Sequence, residues 1–400
     1  MTAINNATSL SYVAEGAANV LFSSPSLDCR LLRLRKKIPQ PCTKQVVEFL
    51  NQKIIPLFDS GMIASCKIVP VSKSVLQSLN LQLSRLEAVT NANDNSTHAR
   101  PLKRHGIFLN VDEPYGILIE NMSVLHQNGT MPNSSLPIIY SSKIRLTASS
   151  AAEILIRKDD SQSVVTVGIE FKPKWLCQSS DAPDDWKYCR TCALNRLRSG
   201  KTGNKEKKSN HNLICPLDLV SNDKDRVARA VQALLPDDII QAEHNLKTGI
   251  TITHVRQVLT KFLLNCFFFK KLCQVQKQND KNGILNLNFN EPLDDQFLIA
   301  MTVRDCTAFV KIEFATGRQQ ELRSVFDEQQ SSSLDVITNV DTGEEYIAHD
   351  DKFFLLRCRL ADLDIKDGSG VKRTYWQNIE RQLNDGGFYS SIDPELPPCR

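Results

Sequence analysis

The chain has 400 residues, 41% hydrophobic and 24% charged, an ordinary globular composition in more chain than one core usually serves, so two domains are expected. A formal net charge of +4 is too small to define a partner class. Twelve cysteines spread over this length exclude a small secreted disulfide framework and fit a reducing compartment, with the nucleus and cytoplasm as the expected location. No charged-then-apolar leader is visible and no run reaches the roughly 18 apolar residues of a membrane span, so no membrane partner is expected.

In chain order, a polar leader gives way to Glu15-Gly16-Ala17-Ala18-Asn19 and then Val20-Leu21-Phe22. Leu31–Arg35 alternates apolar and basic residues as a half-exposed strand would. Residues Thr43–Phe58 carry Val46, Val47, Leu50, Ile54 and Leu57 at helical spacing, with Thr43 as N-cap and Pro56 ending or bending the helix. Gly116–Glu120 is a short apolar strand that closes the first lobe, and Val164–Phe171 is a strand delivering Lys172-Pro173-Lys174. Loops are expected over 178–185 and 199–212, a helix over Val227–Leu235, and a buried helix around Phe262–Phe269. Leu298–Val303, Phe309–Phe314 and Phe353–Leu360 read as strands of one sheet, and 325–350 as an acidic, polar loop.

The chemistry lies in short constellations. The small residues at Gly16 suit close approach of backbone N–H groups to an anion, although a lone glycine equally marks an ordinary turn. Ser199-Gly200-Lys201-Thr202 imitates a phosphate-binding P-loop, but Asn195 stands where the first glycine is required, and no apolar strand precedes it. Lys172 and Lys174 share a strand face with Glu170, the one neighbouring charge expected to neutralise them, and could clamp phosphate or simply be solvated. Asp305, and Asp362 with Asp364, follow apolar strands, where phosphotransferases hold metal-bound phosphates and where ordinary hairpins also place aspartates. Cys189-Arg190-Thr191-Cys192, followed by His211 and Cys215, suits a structural zinc site as well as it suits buried thiols.

In order, these pieces resemble the inositol-pentakisphosphate 2-kinase family, in a fungal-like form. The resemblance rests on Glu15–Asn19, Leu32-Arg33-Leu34-Arg35-Lys36, Arg100-Pro101-Leu102-Lys103-Arg104, Glu170-Phe171-Lys172-Pro173-Lys174, Cys189–Cys192, Cys215-Pro216-Leu217-Asp218-Leu219, Asn245-Leu246-Lys247, Arg304-Asp305-Cys306 and Asp362-Leu363-Asp364-Ile365-Lys366. It implies an α+β, two-lobed inositol polyphosphate kinase-like fold. Residues 1–121 would form a small lobe with an antiparallel sheet, and residues 122–400 a larger α/β lobe, with nucleotide between them.

The activity implied is transfer of the ATP γ-phosphate, with magnesium, to the 2-hydroxyl of inositol 1,3,4,5,6-pentakisphosphate. Carried over by residue, Gly16, Ala17, Ala18 and Asn19 would cover the nucleotide phosphates, Arg33 and Lys172 would hold them, and Glu120 and Met122 would lie near the adenosine. Asp362 would bind magnesium, and Asp305 would accept the hydroxyl proton. Arg104, Lys174, His244, Asn245, Lys247, Lys366, Arg373 and Tyr375 would bind the substrate. A pentakisphosphate carries roughly −7.5 to −10 charges at neutral pH, so several lysines and arginines from distant segments must converge on it.

The sequence departs from the family at Ala17, at Ala193-Leu194-Asn195 and at Asp367-Gly368-Ser369-Gly370, the last affecting the register of Lys372, Arg373 and Tyr375. Two other classes compete. A zinc-dependent nucleic-acid-binding module would need aromatic or arginine-rich faces beside the cysteines, and aromatics total 7%. A non-catalytic polyphosphate binder could dispense with Asp305 and Asp362, and both are present. The expected protein is a monomeric enzyme acting on a small molecule.

Overall fold

The computed structural model describes residues 3–37, 41–92, 100–125, 136–147, 150–201, 214–237, 249–288, 291, 294–328, 335–339, 342–366, 370–394 and 396–400. The fold is α+β, with two antiparallel sheets among the described residues. It divides into two units, Met1–Lys53 with Ala64–Ser135, and Ile54–Ile63 with Leu136–Arg400.

The first unit contains β1 (Ser11–Glu15), β2 (Asn19–Ser23), β3 (Arg30–Arg35), α1 (Thr43–Phe49), β4 (Cys66–Pro70), α2 (Lys73–Ala92) and β5 (Tyr115–Glu120), with strand order β1-β2-β3-β5-β4. The long helix α2 places Val75, Leu76, Leu79 and Leu83 on one stripe. That stripe packs with Val20, Phe22, Leu32, Leu34 and Val69 from the sheet, each fully buried aliphatic contributing about 1.5–3 kcal/mol. Gly116 is dictated by this packing, since a Cβ there would lie 2.7 Å from Leu34 Cδ2. As the middle strand, β3 buries Leu31, Leu32, Leu34 and Arg35, so it is not the half-exposed strand its alternation suggested. The helix expected over Thr43–Phe58 is α-helical only to Phe49. A wider π turn over Leu50–Ile54 and a 3-10 turn over Ile55–Leu57 follow, because Pro56 has no N–H to continue the ladder.

The second unit contains β6 (Ile138–Thr147), β7 (Ser150–Lys158), β8 (Ser163–Phe171), α3 (Arg190–Lys201), α4 (Lys224–Leu234), α5 (Ile252–Asn265), α6 (Phe268–Gln278), α7 (Asp295–Arg304), β9 (Thr307–Ala315), α8 (Gln319–Glu328), β10 (Val336–Asn339), β11 (Glu344–His349), β12 (Lys352–Ala361) and α9 (Gly370–Asp385). Its sheet runs β10-β11-β12-β9-β8-β7-β6. The central strands β8, β9 and β12 are buried along nearly their whole length, which accounts for their continuous apolar sequences.

Three expectations are corrected here. Leu298–Val303 is not a strand but the body of α7, whose N-cap Asp294 accepts from the Phe297 amide at 2.6 Å. A short apolar run is compatible with a buried helix as well as a buried strand, and here the cap decides. The segment 325–350 is not one loop, since it includes the end of α8 and the hairpin β10–β11. The buried helix around Phe262–Phe269 is two helices, α5 and α6, broken at Cys266–Phe267.

Candidate active site

Lys172 directly follows β8, Asp305 lies two residues before β9, and Asp362 directly follows β12. Both outer strands pair antiparallel with β9, setting Phe171 opposite Ala308 and Ala361 opposite Thr307. Strand register therefore delivers one lysine and two aspartates to one end of the three central strands. Lys172 Nζ donates to the Asp305 carbonyl at 2.6 Å and to Asp362 Oδ2 at 3.0 Å, and lies 3.4 Å from Asp305 Oδ1. Lys174 Nζ reaches Asp305 Oδ1 at 3.3 Å, and Lys366 Nζ reaches Asp305 Oδ2 at 2.8 Å. Three ammonium groups thus converge on one carboxylate. The charges that neutralise the two strand-end lysines are Asp305 and Asp362, not Glu170 as the sequence suggested.

The backbone is strained where the chemistry sits. Lys174 has φ +62° and Asp362 φ +57°, left-handed conformations that cost non-glycine residues on the order of 1–3 kcal/mol each unless the surroundings enforce them. Gln276 on α6, fully buried, enforces the first: its Nε2 donates to the Lys174 carbonyl at 2.8 Å and its Oε1 accepts from the Leu176 amide at 2.8 Å. The segment bearing Asp362 and Lys366 is tied to α7 by Thr302 Oγ1, which donates to the Asp364 carbonyl at 3.2 Å. Arg304, next to Asp305, turns into the core, pairing with Asp280 at 2.6 Å and stacking 3.5 Å from the Trp175 ring centroid. Gln276 and Thr302 were not singled out in the sequence, because a polar side chain that braces a distant backbone carbonyl leaves no spacing signal, and Arg304 appeared only within the Arg304-Asp305-Cys306 motif, without a role.

Burial alone would raise the Asp305 carboxyl, but Lys366, Lys172 and Lys174 outweigh it and hold it well below the usual aspartate range. Asp305 is therefore ionised throughout the neutral range and loses its charge only in strong acid. Burial also disfavours the charged form of Lys172, yet Asp362 and Asp305 prevail and its ammonium is held above the usual value. For Lys174 burial wins and lowers it, with Asp305 opposing. Three ammoniums around two carboxylates leave a positive excess, which an anionic ligand would match.

In the first unit the tight turn at Gly16 joins β1 to β2, with the Gly16 amide donating to the Asn19 carbonyl at 2.9 Å. A Cβ at Gly16 would meet nothing within 4 Å, so packing does not demand the glycine. The turn is braced from beneath by buried charges. Arg100 donates to both Glu15 oxygens at 2.7 and 2.9 Å, while Lys36 pairs with Glu15 and donates to the Gly16 carbonyl at 2.9 Å. Arg100 also pairs with Glu87. Arg33 lies mid-β3 opposite Leu21, and Glu120 ends β5, accepting from the Ser65 amide at 3.2 Å. Met122, two residues on, is half-buried.

The sequence profile described as inositol-pentakisphosphate 2-kinase matches residues 12–382. This chain belongs to the inositol-pentakisphosphate 2-kinase family. Among its relatives, a protein of Yarrowia lipolytica named inositol-pentakisphosphate 2-kinase is 27% identical over 374 residues, covering 94% of this chain and 90% of the relative. A protein of the same name from Debaryomyces hansenii is 25% identical over 417 residues, covering 97% and 93%. The profile spans both the Gly16 turn and the Lys172–Asp305–Asp362 cluster, so both lie within the part this inositol-pentakisphosphate 2-kinase family member shares with its relatives.

The remaining expected residues fall into three groups. His244, Asn245 and Lys247, and likewise His211, lie outside the described residues. Arg104 ends a 3-10 turn whose carbonyl accepts from Arg100 at 3.2 Å. Arg373 on α9 is buried and donates to the carbonyls of Asn288 and Glu291 at 3.0 and 2.5 Å, whereas Tyr375 is exposed. The cysteines expected to cluster do so: Cys189, Cys192 and Cys215 come together, and the fourth sulfur among the described residues is Cys399, which the sequence reading missed. No helix among the described residues is long and apolar enough to cross a membrane.

Proposed function

We propose that this chain transfers the γ-phosphate of ATP to the 2-hydroxyl of inositol 1,3,4,5,6-pentakisphosphate, forming the hexakisphosphate, and that its two units correspond to the lobes of a kinase-like fold. The observation that carries the reading is the convergence of Lys172, Lys174 and Lys366 on Asp305 with Asp362 alongside. Phosphoryl transfer needs alignment and charge neutralisation rather than a covalent nucleophile, and this cluster offers both. Asp305 is the base: its ionised carboxylate accepts the hydroxyl proton as the new O–P bond forms and the bond to the ADP leaving oxygen breaks.

The lysines have a second effect on Asp305. When they turn toward the substrate phosphates they release the carboxylate, which regains basicity as the reacting hydroxyl arrives. Asp362 and Asp305 supply hard oxygen donors suited to magnesium, and the pair already holds one cation, the Lys172 ammonium, at 3.0 and 3.4 Å. Magnesium, when bound, offsets the negative charge on the phosphates during transfer. Gly16 through Asn19, Arg33, Glu120, Met122 and Lys172 are assigned to the nucleotide. Lys174 and Lys366, together with Arg104, His244, Asn245, Lys247, Arg373 and Tyr375, are assigned to the inositol phosphate.

The assignment separates two variants. Lys366→Ala should raise the KM for the inositol phosphate about ten- to a hundredfold, the loss of one charge-assisted contact to phosphate, with the KM for ATP within about twofold. Asp362→Asn should instead raise the magnesium concentration needed for half-maximal rate, by about ten- to a hundredfold. Steady-state kinetics with each substrate and magnesium varied in turn checks both. Equal changes in all three parameters for either variant would contradict the division of roles.

A further inference from the structure

The inward stripe of α6 is apolar at Phe268, Phe269, Leu272 and Val275, and it also carries Gln276, which is wholly shielded from water. A buried amide costs stability unless its polar atoms are bonded, and those of Gln276 are. Its Nε2 donates to the Lys174 carbonyl at 2.8 Å and to the Val303 carbonyl at 3.3 Å, and its Oε1 accepts from the Leu176 amide at 2.8 Å. All three partners are main-chain groups, two on the segment that carries Lys174 and one only two residues before Asp305. One side chain therefore fastens the backbone of Lys174 to the backbone that leads into Asp305.

A second tie joins the same two segments. Trp175, next to Lys174, is buried, and the Arg304 guanidinium lies over its ring, 3.5 Å from the centroid. Arg304 is itself held by Asp280 at 2.6 Å. The Arg190 guanidinium, paired with Glu380 at 2.8 Å, lies over the same ring at 4.2 Å. From α6, Cys273 Sγ donates to the Leu176 carbonyl at 3.2 Å. This bracing matters because the Lys174 ammonium rides on a flexible four-carbon stem from a left-handed backbone, φ +62°. Released from its bonds, that backbone would relax to a negative φ. The Cα–Cβ direction would swing and draw the ammonium from its place 3.3 Å from Asp305 Oδ1.

We infer that Gln276 is a positioning residue for the transfer: it holds Lys174 and Asp305 at a fixed separation, so that the inositol phosphate is gripped where its hydroxyl meets the base. The inference rests on the kinase reading above, in which Lys174 binds the inositol phosphate. Fully buried, Gln276 acts through Lys174 and not on the ligand, and the Trp175–Arg304 stack is the auxiliary tie. Leucine at this position would fill the space but remove all three bonds.

The test is a double-mutant cycle read by calorimetry, titrating inositol 1,3,4,5,6-pentakisphosphate into the full chain without ATP. Gln276→Leu should weaken binding about tenfold or more, up to the loss caused by Lys174→Ala. Steady-state rates should show kcat falling while the KM for ATP stays within about twofold. Once Lys174→Ala is in place, adding Gln276→Leu should weaken binding by less than about twofold further, because the group it positions is gone. Trp175→Phe, a milder change, should show the same pattern at about two- to tenfold, and it carries the test alone if Gln276→Leu does not fold. Losses that multiply in the double variants, or wild-type affinity in folded Gln276→Leu, would overturn the inference. A merely structural amide would lower the melting temperature and leave the affinity of the folded protein unchanged. Failure of the kinase reading shows separately, as a wild-type chain that forms no hexakisphosphate, and would overturn the role in transfer whatever the binding cycle gives.

Discussion

Asp305→Asn should lower kcat by about 10²–10⁴, the range general-base catalysis supplies, while the KM for the inositol phosphate stays level or falls. The two parameters part company because of the three ammonium groups that now converge on the carboxylate. Removing the charge abolishes the proton acceptor yet leaves Lys174 and Lys366 with less competition for the inositol phosphates, and Lys172 with less competition for those of the nucleotide. A purely structural role for Asp305 would weaken binding and turnover together. Initial rates on folded, purified variant distinguish these outcomes, and near-normal kcat would remove Asp305 from the mechanism.

Glu15→Gln should destabilise the protein by about 3–5 kcal/mol, the usual cost of breaking a buried ion pair from one side. Glu15, Lys36 and Arg100 have fully buried side chains, so losing the carboxylate strands two cations away from water. Burial opposes the charged form of Glu15, but hydrogen bonds from Arg100 and Lys36 prevail and hold its carboxyl below the usual glutamate value. Its stabilising contribution is therefore complete above the unfolded-state pKa and is lost as pH falls through the lower folded-state value. Chemical denaturation at neutral pH checks the size of the effect, and at mildly acidic pH the gap between variant and wild type should begin to close. A loss below about 1 kcal/mol at neutral pH, the range of exposed pairs, would show that the network does not brace the Gly16 turn.

Much of this architecture was legible in the sequence where one physical rule dominated. The strands β5, β8, β9 and β12 announce themselves as apolar runs with abrupt polar ends, and their ends are where Lys172, Asp305 and Asp362 sit. The helix α4 was legible from its spacing and from Pro236 beyond it. What failed was decided by tertiary context. Leu298–Val303 is apolar at every position but Thr302, so periodicity could not separate helix from strand. The hairpin β10–β11 hides in a polar, acidic stretch because part of each strand is open to solvent. Lys174 was read as continuing the alternation of β8, but its left-handed backbone ends that alternation and brings its ammonium beside that of Lys172 on Asp305. Cys399 stands 184 residues beyond Cys215, a separation that only the folded chain closes.

The central claim is a phosphoryl transfer to one hydroxyl, and the product tests it most directly. The purified chain is incubated with magnesium, γ-labelled ATP and inositol 1,3,4,5,6-pentakisphosphate, and the products are separated by anion-exchange chromatography. The account predicts inositol hexakisphosphate carrying the label on the 2-position, formed one for one with ADP and abolished by Asp305→Asn. Unchanged pentakisphosphate, or label released only as inorganic phosphate, would contradict it.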